Sequence, residues 1–190
     1  VGQAGLLTPP FVLLTTGRER LPRDFSFPAI VKPVAEGSSK GILATSVVES
    51  EAALRELAAE TAGRYRQAVI AENFVVGREF TVGLLGEKRP KALPPMEIVF
   101  VGDQEKYPVY SFSSKFETAA VKCEVPAKID PALDGELRRV ARAVFSILGC
   151  RDLARVDLED DGRRLAVELE RLEPAQVLEE GGERDRFEPG

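Results

Sequence analysis

The stretch FPAIVKPVAEGSSKGI, residues 27–42, decides the fold. Its first half is rich in apolar and β-branched residues, which is typical of a buried strand, yet it contains Lys32. The segment AEGSSKG (35–41) has the composition of a loop, and ILATSVV (42–48) has that of a second strand, so a hairpin with a glycine-rich tip is predicted. Lys32 should have a packed stem and an ammonium in a fixed place, which suits a phosphate or another localised anion.

The tip of this hairpin combines a lysine with flexible small residues. Backbone N–H groups of Gly37, Ser38, Ser39 and Gly41 could cradle phosphate oxygens, with Lys40 beside them. The spacing is not that of a Walker loop, because only three residues separate Gly37 from Gly41. Taken by itself, a Gly/Ser hairpin tip with a lysine is more often only a turn.

Composition narrows the class of protein. The chain has 190 residues, 44% hydrophobic, and a net charge of −5, which argues against a nucleic-acid surface. The absence of histidine excludes a Ser-His-Asp triad and an imidazole base, so the chemistry must rest on carboxylates, lysines and arginines. Two cysteines fit a reducing compartment, and neither a leader pattern nor a membrane-length apolar run is present, so we expect a cytoplasmic protein that does not bind membranes.

The rest of the chain alternates strand patterns with two helix patterns. Ser50 is a typical N-cap for a helix that we expect to end at Gly63, and Asp130 with Pro131 begins a second helix that ends at Gly149. The strand-like runs are PPFVLL (9–14), AVIAENFV (68–75), EFTVGLLG (79–86), LARVDL (153–158) and LAVELE (165–170).

This order predicts an α+β chain of two antiparallel-sheet lobes, with a ligand cleft between them. We expect an N-terminal strand and connector in residues 1–19, a small lobe in 20–75, a C-terminal lobe in 76–174 and a disordered tail in 175–190.

The final hairpin brings carboxylates together. Asp157 and Glu168 lie at similar distances from its turn, residues 159–164, and Glu170 shares a face with Glu168. Clustered carboxylates repel unless a cation neutralises them, so Mg²⁺ is one interpretation and a solvated acidic edge is the other. Arg155 would share that face, either as the neutralising cation or facing an anionic ligand.

Three further charged residues, Glu72, Glu79 and Lys115, have an interpretation that needs no ligand. Glu72 and Glu79 are typical surface charges, although Glu72 follows an apolar run and could lie at a lobe junction. Lys115 lies between Phe112 and Phe116, where stacking on a ring is the alternative to a functional role.

Taken together, the segments resemble the ATP-grasp fold and, within it, the D-alanine–D-alanine ligase family. The matching segments follow the family's order and are AGLLTPPFVLL, FPAIVKPVAEGSSKGI, AVIAENFVVGREFTVGLLG, PPMEI, YSFSSKF and LGCRDLARVDL. The resemblance implies that ATP lies between two antiparallel lobes under a mobile lid formed by residues 37–39. It also implies that Glu72 receives the adenine amino group, that backbone around Phe74 and Val75 completes the adenine edge, and that Glu79 binds the ribose hydroxyls.

The resemblance also implies a phosphate and metal site. Lys32 and Lys115 would contact phosphates, Asp157 and Glu168 would bind Mg²⁺ or Mn²⁺, and Arg155 would stabilise the acylphosphate and the tetrahedral intermediate. In such ligases ATP phosphorylates a carboxylate, an amine displaces the phosphate, and ADP leaves. This chemistry is mostly positioning and charge neutralisation.

Two departures from the family pattern leave a second function open. Glu170 stands where the family has the asparagine that would share the metal, and the Pro-Gly turn that follows in the family is replaced from Arg171 onward. We also expect the family's N-terminal domain, which supplies part of the substrate site, to be missing before Val1. The chain is therefore predicted to be a carboxylate–amine ligase of amino-acid-like substrates in peptidoglycan precursor synthesis, or a non-catalytic ATP-grasp module that binds nucleotide. The oligomeric state stays open, with a homodimer as one option.

Overall fold

The computed structural model describes residues 5–36, 39–101, 106–110 and 121–168. Two antiparallel sheets, each with a helix packed on one face, form two lobes, which confirms the predicted α+β class. The first lobe contains β1 (Phe11–Leu14), β2 (Ala29–Pro33), β3 (Val47–Val48), α1 (Glu51–Tyr65) and β4 (Val69–Asn73). The second contains β5 (Arg78–Leu85), β6 (Lys91–Ala92), β7 (Met96–Phe100), β8 (Val121–Glu124), α2 (Pro131–Ile147), β9 (Leu153–Asp160) and β10 (Leu165–Val167).

The first sheet has the strand order β1-β4-β2-β3 and is covered on one face by α1. Because side chains alternate along a strand, the residues that pack under α1 leave Lys32 and Glu72 on the opposite face. Ser50 caps α1 by accepting a hydrogen bond from the Ala53 N–H. The core of this lobe consists of Val12, Leu14, Ala29, Val31, Val48, Leu54, Ala58, Val69 and Ala71.

The second sheet has the order β10-β9-β5-β7-β8, with β6 paired to β5, and is covered by α2. Asp130 caps α2 by accepting from the N–H groups of Ala132 and Leu133, as its position before Pro131 predicts. The core of this lobe consists of Phe80, Val82, Leu84, Ala92, Leu137, Val140, Ala141, Val144, Phe145, Val156, Leu158 and Val167. The alternate residues of β5 and β9 therefore face away from the helix, toward the first lobe.

Residues 74–77 join the two sheets, since β4 ends at Asn73 and β5 begins at Arg78. We call them the hinge. At its end Gly77 approaches the final hairpin so closely that a Cβ there would lie 2.2 Å from the Asp160 carbonyl oxygen. Only glycine fits this close approach, so the hinge is held directly against β9.

The structure corrects several predicted boundaries. Residues 42–48 do not form a full strand, because a 3-10 turn occupies Ala44–Ser46 and only β3 pairs with β2. The helix α1 passes through Gly63 and ends with Arg66 in the left-handed region at φ 53°. Within the described residues, no helix has the length and apolar character needed to span a membrane.

Candidate functional site

A cleft of about 730 Å³ lies between the two sheets. Its walls come from both lobes, from the hinge and from the loop that carries Ser39 and Lys40. Its volume is within the range of small-molecule sites, and polar groups converge on it from both sides. The cleft is therefore the candidate ligand site.

Lys32 is a buried cation behind the cleft wall, next to the cleft residues Glu72 and Glu168. Only 3% of the residue is exposed, and its Nζ forms ion pairs with Glu72, also buried, and with Glu168 at 3.3 Å. Glu72 belongs to the first sheet and Glu168 follows the last strand of the second, so Lys32 joins the two lobes. The prediction of a fixed ammonium on a packed stem is confirmed, and the interpretation of Glu72 as a surface charge is wrong.

The final hairpin places Asp157 and Glu168 side by side. The Glu168 N–H donates to the Asp157 carbonyl oxygen at 3.1 Å, and both side chains line the cleft. Arg155 is paired with Asp157 at 2.8 Å, so in this structure it neutralises the acid. Glu79 and Thr81 lie on the neighbouring strand β5, opposite Glu159 and Asp157 respectively, and also line the cleft.

The donor set of the hairpin fits a magnesium ion that is shared with phosphate oxygens. Within the described residues no cluster of three metal-ligating side chains occurs. Asp157 and Glu168 nevertheless supply two carboxylates at one place, and Mg²⁺ is commonly held by one or two carboxylates together with substrate phosphates. The third predicted ligand, Glu170, lies outside the described residues.

Glu159 is a site residue that the sequence reasoning did not select. Its side chain is partly buried and lines the cleft, and its Oε2 is buried without a hydrogen-bond partner in the described part of the chain. Burial, and next the carboxylates of Glu168 and Glu72, raise the pKa of Glu159 well above its usual value. The sequence did contain a signal for this residue: Glu159 follows Asp157 by two positions on one strand, so both side chains lie on the same face.

A second connection between the lobes lies beside the hinge. Lys106 and the Tyr107 hydroxyl both contact Glu49, and the Tyr107 oxygen lies 2.7 Å from it. The Tyr107 ring also meets the Phe74 ring edge-on at 5.6 Å between centroids. The Phe74 N–H donates to the Pro28 carbonyl oxygen at 2.9 Å, so it is not available to a ligand.

The remaining predicted residues divide into two groups. The first group lines the cleft: Ser39 is buried with a left-handed φ of 58°, Lys40 is exposed, and the hinge residues Phe74 and Val75 are half-buried. The second group lies outside the described residues. It consists of Gly37 and Ser38, predicted for the lid, Lys115, predicted to contact phosphate, and Glu170, predicted to bind the metal.

Two antiparallel sheets that enclose a cleft with a buried lysine and paired acids define the ATP-grasp fold, and solved structures agree. D-alanine–D-alanine ligase from Bacillus anthracis complexed with ATP superposes with a TM-score of 0.65 at 24% identity, over 87% of this chain and 50% of that one. VanG D-Ala:D-Ser ligase from Enterococcus faecalis gives a TM-score of 0.68 at 24% identity, over 91% and 49%.

The chain belongs to the D-ala D-ala ligase C-terminus family, whose model matches residues 1–170. D-alanine–D-alanine ligase of Pelotomaculum thermopropionicum is 32% identical over 163 residues, which cover 80% of this chain and 48% of the relative. This chain therefore spans about half the length of the relatives it matches.

Proposed function

We propose that this chain binds Mg-ATP in the cleft and is the nucleotide-binding and catalytic part of an ADP-forming carboxylate–amine ligase. The observation that supports this most is the buried Lys32, held between Glu72 of one lobe and Glu168 of the other. A buried ammonium at the seam of two sheets would suit a phosphate, and its acidic partners would suit a base amino group and a metal. That a similarly folded ligase is described as complexed with ATP supports the same proposal.

In the proposed complex, the nucleotide base lies against the hinge. Because the Phe74 N–H is used by Pro28, the base would meet the hinge through the Val75 N–H, with Glu72 accepting one N–H of its amino group. Glu79, the second residue of β5 after the hinge, would accept hydrogen bonds from the ribose hydroxyls. Lys32 would then donate to the α- and β-phosphates, in exchange for its carboxylate partners.

At the far end of the cleft, Asp157 and Glu168 would hold magnesium, which neutralises the phosphate charge when bound. Arg155 would leave Asp157 and donate to the oxygens of the acylphosphate that forms when a substrate carboxylate attacks the γ-phosphorus and ADP departs. An amine then attacks the acyl carbon and phosphate leaves. The same guanidinium would stabilise the oxyanion of that tetrahedral intermediate. Amino-acid-like substrates and a role in peptidoglycan precursor synthesis are part of this proposal.

The test is ADP release from Mg-ATP by the purified 190-residue chain, with and without D-alanine, together with calorimetric titration of Mg-ATP. We expect binding, and ADP release that D-alanine increases. Arg155→Ala should keep the Mg-ATP affinity within about threefold and lose at least about a hundredfold in ADP release, as for removal of one oxyanion donor. Arg151→Ala, an exposed arginine before the same hairpin, is the matched control and should leave both unchanged.

Two other outcomes have clear meanings. Mg-ATP binding without any ADP release would identify the chain as a nucleotide-binding module that does not ligate substrate. No binding of Mg-ATP by the folded chain would overturn the proposal.

A further inference from the structure

Glu159 is a cleft residue that the proposed function does not use. It lies on the cleft face of β9, two residues beyond Asp157, and its Oε2 is buried with no hydrogen-bond partner among residues 5–36, 39–101, 106–110 and 121–168. A buried carboxyl oxygen without a partner is costly and rare, so it calls for an explanation. A group on a bound ligand would supply the missing partner.

The register of β9 and β5 places Glu159 at the hinge end of the cleft. Arg155 lies opposite Gly83, whereas Glu159 lies opposite Glu79, one position from the start of β5 at the hinge. Since a strand rises about 3.3 Å per residue, Glu159 is about 6.6 Å closer to the hinge than Asp157. Arg155, Asp157 and Glu159 therefore follow one line from the reacting end of the cleft to its base end.

The charges around Glu159 exclude phosphate as its partner. The carboxylates of Glu168, Glu72 and Glu79 all raise the pKa of Glu159, and the Lys32 ammonium opposes them. A phosphate oxygen would be repelled there, whereas an N–H donor of a base would be attracted. Glu72 approaches from the first sheet and Glu159 from the second, so an exocyclic amino group between them could give one N–H to each.

We propose that Glu159 hydrogen-bonds the exocyclic amino group of the bound purine and makes the cleft selective for adenine. The inference rests on the proposed binding of ATP and adds a second amino-group acceptor, on the lobe opposite Glu72. A carboxyl oxygen accepts this bond in either protonation state. Adenine offers an amino donor at this edge, whereas guanine offers only acceptors at its corresponding O6 and N7 positions.

The test compares ATP with purine riboside 5′-triphosphate, which differs from ATP only in lacking the amino group. Glu159→Met removes the acceptor at nearly constant length, and Glu159→Gln keeps it. By calorimetry of the full chain with magnesium, Glu159→Met should bind ATP about tenfold more weakly and purine riboside triphosphate unchanged, whereas Glu159→Gln should stay within about threefold for both. Glu87→Gln, an exposed carboxyl outside the cleft, should match the wild type.

A second measurement checks the ligand-free protein. Because Glu159→Met deletes a buried partnerless oxygen, its Tm without nucleotide should rise by about 2–4 °C, the shift expected for a chain of this size. A lower Tm would mean that Glu159 already has a structural partner, and would overturn the inference. So would equal losses for both nucleotides or unchanged ATP affinity in Glu159→Met. If the wild-type chain binds neither nucleotide, the proposed function is overturned as well. The wild-type titration alone therefore separates a failure of the proposed function from a failure of this inference.

Discussion

Replacing Lys32 with methionine should destabilise the protein by about 3–4 kcal/mol. Methionine keeps most of the apolar stem but removes the ammonium that contacts Glu72 and Glu168. Breaking a buried ion pair by removal of one partner costs about 3–5 kcal/mol. The Glu72 side chain is only 3% exposed, so its carboxylate would be left buried without its cation. The Glu168 side chain is 16% exposed and would be partly hydrated, so the lower part of that range applies. Domains are commonly stable by about 5–15 kcal/mol, so the variant should fold but unfold easily.

Urea denaturation monitored by far-UV circular dichroism measures this change in the free energy of unfolding. Lys40→Met is the matched control, because that lysine is exposed on the adjacent loop, and it should stay within about 0.5 kcal/mol of the wild type. Adding Glu72→Gln to Lys32→Met should recover about 1 kcal/mol or more, since it removes the buried charge. A loss below about 1 kcal/mol for Lys32→Met, or no recovery in the double variant, would refute the reasoning that this pair is buried and mutually compensating.

Two further predictions concern the frame around the cleft. Gly77→Ala should lower the free energy of unfolding by about 1–3 kcal/mol in urea denaturation, because its Cβ would meet the Asp160 carbonyl oxygen. Gly135→Ala, at a position in α2 with no atom near the new Cβ, should raise it by about 0.5–1 kcal/mol. Equal effects of the two substitutions would contradict this reasoning. Hydrogen bonds from Arg138 lower the pKa of Asp134, so their stabilisation is present above the ordinary carboxyl pKa and is lost as pH falls through the folded-state value. Asp134→Asn should therefore cost about 0.3–0.5 kcal/mol at pH 7 and nearly nothing at low pH, in urea titrations at several pH values; a difference that does not depend on pH would contradict the assignment.

Local sequence patterns were sufficient where one short segment determines its own geometry. The hairpin of β9 and β10 has an Asp-Gly turn, and it brings Asp157 and Glu168 together as predicted. The helix α2 has a strong apolar stripe and a cap at Asp130, and it forms as predicted. In both cases the signal and the structure involve residues close together in the chain.

Long-range packing decided the points that the sequence reasoning did not reach. The helix α1 continues through Gly63, and the chain reverses only where Arg66 takes the left-handed conformation. Glu72 could be taken as a surface charge because its partner Lys32 lies 40 positions earlier, on a strand that pairs with β4. Glu159 stands in an acidic run beside a turn, where charges are usually solvated, and only the pairing of β9 with β5 places it under the first lobe.

The arrangement of charges in the cleft bears on how a ligand could enter it. Lys32 contacts an acid from each lobe, so the ligand-free protein already has its buried ammonium neutralised. A triphosphate that takes Lys32 would separate Glu168 from that cation and bring negative charge beside it, which is unfavourable unless a cation arrives with the phosphates. A divalent metal held by Asp157 and Glu168 would supply that cation, and the neutral base amino group would donate a hydrogen bond to Glu72. The Lys32–Glu168 pair is then exchanged for ionic contacts with the ligand and its metal, and the Lys32–Glu72 pair for a phosphate contact and a hydrogen bond. The affinity must therefore depend on the whole Mg-nucleotide and not on its phosphates alone.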